Sequence, residues 1–203
     1  MKSGRNDSGE SSILLFHDQQ AWAAWLDKNH RTSLGVWLRL AKKGSGMQSA
    51  SYGEALDVAL CYGWIDGQKK GESENACLQK FAPRAPRSIW SQINRQKALA
   101  LIKAGQMKPF GMEAIERAKE NGRWDAAYES PGMATVPSDF QAVLDKNARA
   151  KSFFGALDRG NRYAVLFRIQ TAKKPETRIK RIQRFIKMLE KHERVHPLSK
   201  EQK

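Results

Sequence analysis

Cysteine is almost missing from this 203-residue sequence. Two thiols, Cys61 and Cys77, are too few for a disulfide framework and lack the spacing of a metal site. Cys61 sits inside an apolar helical pattern, where a free cysteine acts as a small hydrophobe, so a reducing compartment fits. Long apolar runs are absent too. No stretch approaches the ~20 residues a helix needs to cross a bilayer, so the chain does not read as transmembrane. Residues 1–10 are polar, without an apolar segment of signal-peptide length, and a cytoplasmic location is the expectation. Catalytic signatures are lacking as well: there is no Gly-x-Ser-x-Gly, no P-loop, and no Gly-x-Gly-x-x-Gly between a strand and a helix. No internal repeat or low-complexity tract is present. Finally, acidic residues are scarce, 21 Asp/Glu against 36 Lys/Arg, which leaves a formal charge of +15.

What is present is enough for a core. Apolar residues make up 40% of the chain, and six tryptophans and eight phenylalanines supply large buried areas. Asp18 caps a helix whose Trp22, Trp25 and Leu26 share one face. Leu34, Val36, Leu38 and Leu40 alternate with Gly35, Trp37 and Arg39, the period of a half-buried strand. Ser51-Tyr-Gly-Glu54 is a capping box opening a helix that Gly63 closes. Trp64–Gly67 reads as a short strand paired with Cys77–Phe81. A helix is expected from about Ser88 to Ala104, with Ile89, Ile93, Leu99 and Ile102 inward, and another over about 109–120. Pro131-Gly132 marks a turn. Beyond it the pattern is helical at about 138–146, 148–157, 160–173 and 176–192.

The fold class is therefore α+β, mainly helical, with a small antiparallel sheet in the N-terminal half and a helical C-terminal portion. The divisions expected are a disordered leader over 1–12, an α+β portion over 13–122 and an irregular connector over 123–137. A basic helical portion over 138–192 and a frayed tail over 193–203 follow. The whole reads as one compact unit, and whether its two portions share a core is left open.

The positive charge is concentrated. From Arg149 onward lie 16 Lys/Arg and 5 Asp/Glu, a net +11. Such asymmetry suits an anionic partner: nucleic acid, an anionic membrane surface or an acidic protein. The helix from Pro175 carries Ile179, Ile182, Ile186 and Leu189 as an apolar stripe. Lys173, Lys174, Arg178, Lys180, Arg181, Arg184 and Lys187 form the candidate binding surface. Phe185 is the only aromatic among these charges, which argues against single-strand readout by stacking.

A second constellation gathers around chain breaks: Trp64, Asp66, Arg84, Ser88, Trp90 and Asn94. An Arg84 fork oriented by Asp66 could take a carboxylate or phosphate. The first turn of the helix from Ser88 could add backbone donors. This is the alternative reading, a small-molecule pocket or an enzyme with an anion site. The bland counterpart is an Arg84–Asp66 ion pair with Ser88 as a cap. His192-Glu-Arg-Val-His196 matches His-Glu-x-x-His, but no downstream third ligand exists and the neighbourhood is cationic. Zinc is not expected, nor is any cofactor.

Three stretches carry a family resemblance. One is Trp22-Ala-Ala-Trp-Leu-Asp-Lys-Asn-His30 with Val36-Trp-Leu38 and Lys42-Lys43. The second is Tyr52-Gly-Glu-Ala-Leu-Asp-Val-Ala-Leu-Cys-Tyr-Gly-Trp-Ile-Asp-Gly67, continued by Phe81-Ala-Pro-Arg84 and Ser88-Ile-Trp-Ser-Gln-Ile-Asn94. The third is Ala172-Lys-Lys-Pro-Glu-Thr-Arg178 with its basic helix. Together they resemble the YdeI/OmpD-associated (bacteriocin-protection) family over nearly the whole chain after residue 13. Residues 71–80 depart from it, lacking the aromatic and arginine expected before Phe-x-Pro-Arg. The resemblance implies stress or bacteriocin protection and association with an outer-membrane porin, and it brings no catalytic residues or reaction. A non-enzymatic binding protein with a basic C-terminal region is the expectation.

Overall fold

Local hydrogen bonds start two helices where the sequence predicts them. In the structure of the protein, a computed structural model describing residues 12–197, Asp18 accepts the Ala21 N–H at 2.7 Å and opens α1 (Gln19–Asn29). Ser51 and Glu54 form both halves of the capping box on α2 (Tyr52–Cys61). All but Ser12 of the expected leader, and the tail after Pro197, lie outside the described residues.

Backbone contacts divide the chain into two compact units. Among the described residues, the first comprises the chain from Ser12 through Ile89 together with Asn94–Asp125. Its sheet has the order β1 (Ile13–Leu14), β2 (Val36–Ala41), β4 (Ala76–Pro83), β3 (Trp64–Gly71). β2 pairs antiparallel with β4, placing Val36 opposite Phe81, and β4 pairs antiparallel with β3. The sheet is mixed rather than purely antiparallel, because β1 runs parallel to β2. The β3–β4 hairpin is also longer than expected, continuing past Gly67 through an irregularity between Asp66 and Lys69. α1 and α2 pack together beside the sheet, α2 also meeting α4 (Pro109–Glu120).

Aromatic side chains fill this core. Trp22, Leu26 and Phe81 are completely buried, and Trp64 is nearly so. The indole N–H groups of Trp22 and Trp64 donate to the carbonyls of Ala55 (3.1 Å) and His30 (3.2 Å), so neither polar end is left dry. Trp37, on the other side of β2, is covered by the Lys70 ammonium 4.6 Å from its ring, so β2 is buried on both faces rather than alternating.

Several apolar assignments fail. Leu34 lies before β2 and is 94% exposed. The expected helix from Ser88 begins at Gln92 instead, as α3 (Gln92–Lys103), and Ile89, Ile93 and Leu99 are exposed. Its buried line passes through Ala98, with Asn94, Leu101 and Ile102 half-covered at helical spacing. A small residue permits close approach, and that sets the helix's rotation where the larger side chains do not.

Among the described residues, the second unit comprises Trp90–Ile93 and the chain from Ala126 to Pro197. Four helices build it: α5 (Ser138–Asp145), α6 (Ala148–Ala156), α7 (Arg159–Gln170) and α8 (Pro175–Glu190). Trp90–Ile93 is tied in by reciprocal backbone bonds, Tyr128 N–H to Trp90 and Gln92 N–H to Tyr128. Asn147 and Asp158 cap α6 and α7. The core joins Phe140, Leu144, Phe154, Val165, Leu166, Ile169, Ile182, Phe185, Ile186 and Leu189. Phe140 and Phe154 meet edge-on at 5.3 Å. Ile179, expected in the stripe of α8, is instead 55% exposed, and Phe185 takes a place in the core.

Candidate basic cleft on the helical unit

The face of α8 opposite its apolar stripe is cationic because Arg181, Arg184, Lys187 and Lys191 follow at three- and four-residue intervals. Burying Ile182, Phe185, Ile186 and Leu189 in the core turns these side chains outward. Arg168, near the end of α7, and Arg194, after α8, join them. Together they line a cleft of about 650 Å³ floored by Phe185, Met188 and Val195. Glu193 is the acid among these lining residues, so the lining is net +5. The C-terminal end of a helix contributes only about half a negative charge, so the cations dominate the local field.

Several of these groups are held in place. Arg168 Nη1 donates to the Ala164 carbonyl at 2.9 Å, and Arg181 Nη1 donates to the carbonyl of Arg168. The Arg194 guanidinium lies 5.3 Å from the Phe153 ring centre, and the His192 ring stacks with the same phenyl at 4.8 Å. The segment carrying Arg194 is anchored by Asn161, which is 3% exposed. Asn161 Oδ1 accepts the His196 N–H at 2.8 Å, while its amide nitrogen donates to the His196 carbonyl at 3.2 Å and to Asp158 at 2.7 Å.

Not every predicted basic residue faces the cleft. Arg181, Arg184 and Lys187 line it. Lys173 and Lys174 are exposed where α8 begins, and Lys180 is exposed but outside the lining. Arg178 is committed elsewhere: Nε and Nη2 grip Asp139 at 2.6 and 2.8 Å, and Nη1 reaches the Ile169 carbonyl at 2.9 Å. This fork holds the Asp139 carboxyl below its ordinary range and raises the guanidinium. Sequence reading missed Arg168 and Arg194. Arg168 lies on α7 and joins the basic run of α8 only through the α7–α8 packing, while Arg194 follows that run on irregular chain held by the Asn161 anchor.

The alternative constellation is placed as follows. Trp64 and Trp90 are buried, and they belong to different compact units. Asp66 accepts the Tyr52 hydroxyl at 2.9 Å. Arg84 is 6% exposed and donates through Nη1 to the Ile89 carbonyl at 3.2 Å. Ser88 lies in the turn before α3 rather than at a helix start, its N–H donating to Ala85. Asn94 stands in the first turn of α3, where the N–H of Gln92 is already taken by the Tyr128 carbonyl. None of the six lines the basic cleft.

His192 and His196 do not share a helical face. α8 ends at Glu190 and His192 adopts φ 58°, so the His-Glu-x-x-His spacing falls on irregular chain. Among the described residues no group of three or more His, Cys, Asp or Glu gathers as a metal site, and no helix is long and apolar enough to cross a membrane. Cys61 and Cys77 are free thiols.

No curated protein and no solved structure matches the chain. Residues 14–114, which hold two of the three stretches expected to carry the family likeness, match a domain of unknown function (DUF8412). The family likeness is thus narrower than the sequence suggests, and it rests on the third stretch. It is residues 133–192, holding four helices and seven of the ten residues that line the basic cleft, that match the family described as bacteriocin-protection, YdeI or OmpD-associated.

Proposed function

We propose that the protein is a non-enzymatic binding protein that engages an anionic partner through the cleft between α7 and α8, and that this contact serves a protective role of the kind named for the matching family. One observation carries the reading. The segment matching that family is the segment that folds its apolar residues inward and leaves Arg168, Arg181, Arg184, Lys187 and Lys191 along one concave surface. Like charges so close repel one another when no anion is present. An arrangement that only kept the protein in solution would be expected to disperse them.

Retention on a heparin column tests this. Arg184→Ser/Lys187→Ser is compared with Lys28→Ser/Lys43→Ser, which removes the same charge from exposed positions of the other unit. The cleft variant is expected to elute at clearly lower salt than the control variant. Equal elution of the two would reduce the effect to net charge and sink the reading.

A further inference from the structure

Resting on that reading, we infer that the partner is duplex nucleic acid, held by its sugar–phosphate backbone without readout of bases. Four features of the cleft lead there. The first is charge density. From Arg181 to Lys191 the chain advances about 15 Å, and four lining cations stand along that length, with Arg168 and Arg194 beside them. A duplex carries one negative charge per ~1.7 Å of axis, a density sufficient to meet such an array, whereas protein surfaces intersperse both signs.

The second is the kind of cation. Four of the six are arginines, whose planar forks pair with phosphate oxygens two at a time. Arg168, Arg181 and Arg194 are already oriented by carbonyl or ring contacts. Less freedom is therefore lost when a phosphate arrives.

The third is the lack of a platform for bases within the cleft. Phe185 is 6% exposed, and Phe153 is covered by His192 and Arg194. Single-strand binders depend on open aromatic faces, so a paired duplex is the better fit. The fourth is the fate of α8's apolar face. A helix that lies on lipid buries that face in the membrane, but Ile182, Phe185, Ile186 and Leu189 are already spent on the core. An acidic protein partner would look for exposed apolar anchors, and the cleft offers only half-covered Met188 and Val195. A strongly basic, polar, concave surface has the character of a nucleic-acid interface.

The test is fluorescence polarisation of the full chain with a labelled 20-base-pair DNA duplex, titrated across salt. Competitors are the unlabelled single strand, polyglutamate and phosphatidylglycerol vesicles. Expected are duplex binding with a log–log salt slope of about −3 to −5 and no preference between two scrambled sequences. Arg184→Gln/Lys187→Gln is expected to weaken binding at least tenfold and to flatten the slope by about 2, at 0.9 per contact. The charge-matched Lys43→Gln/Lys146→Gln variant should change it little. Tighter binding of polyglutamate, vesicles or single strand than of duplex would overturn the duplex inference while the cleft still binds anions. Failure to bind any polyanion at low salt would overturn both.

Discussion

Arg178 and Asp139 face one another across α8 and α5 as a two-point fork, at 2.6 and 2.8 Å. The same guanidinium also reaches the Ile169 carbonyl at the end of α7. One cation thus links three helices of the second unit, which is why it is unavailable to the cleft its neighbours line.

The pair makes stability depend on acid. Asp139's carboxyl is depressed in the folded state by Arg178, so its contribution is present above the unfolded value of about 3.9 and is lost as pH falls through the folded value. Asp139→Asn is expected to cost about 0.5–1 kcal/mol at pH 6, the scale of a partly exposed ion pair. Denaturant melts of variant and wild type should converge toward pH 2. A difference that persisted there would mean that the charge is not what stabilises.

Asn161 should govern the end of the cleft. Its side chain is buried and engages both polar groups of the His196 backbone. Asn161→Ala is expected to destabilise by about 1–3 kcal/mol. Amide exchange at His196 should quicken, and retention on heparin should weaken because Arg194 loses its anchor. Unchanged exchange at His196 would dismiss this role.

Two glycines predict opposite outcomes. A Cβ on Gly111 would stand 2.3 Å from Met107 Sδ and 2.5 Å from the Cys61 carbonyl, whereas one on Gly155 would meet nothing within 4 Å. The sulfur can swing aside and the carbonyl oxygen cannot. Gly111→Ala is expected to cost about 1–3 kcal/mol. Gly155→Ala, in an exposed position of α6, should add about 0.4–1 kcal/mol. Thermal melts of the two variants decide between these signs.

Burial pushes the Cys61 thiol up to about 11, with Asp57 adding to the effect and Lys108 opposing it. At pH 8 very little is thiolate, the reactive form. In a Cys77→Ser background, the remaining thiol should react with Ellman's reagent on the order of 10²-fold more slowly than in the unfolded chain, whose thiol sits near 8.5. Rapid labelling of the native protein would contradict the burial described for α2.

Local chemistry was legible from residue order. Asp18, the Ser51–Glu54 box and Pro175 announce their helices because each acts on backbone within one turn. The alternation around Val36–Leu40 located a strand, and the β3–β4 pairing was anticipated in part. The exposure of Leu34, the rotation of α3 about Ala98 and the parallel β1 were not legible, since each depends on partners distant in sequence.

The same boundary runs through the candidate site. Residue order alone makes positive charge abundant, concentrates it after Arg149 and puts it on an amphipathic helix, for composition and period are local properties. Helix packing selects which cations share a surface. Packing α8 by Ile182, Phe185, Ile186 and Leu189 aimed Arg181, Arg184 and Lys187 into the cleft, brought Arg168 and Arg194 beside them, and gave Arg178 to Asp139. A charge is written in the chain, but its direction is set by whichever helix face the core excludes from water.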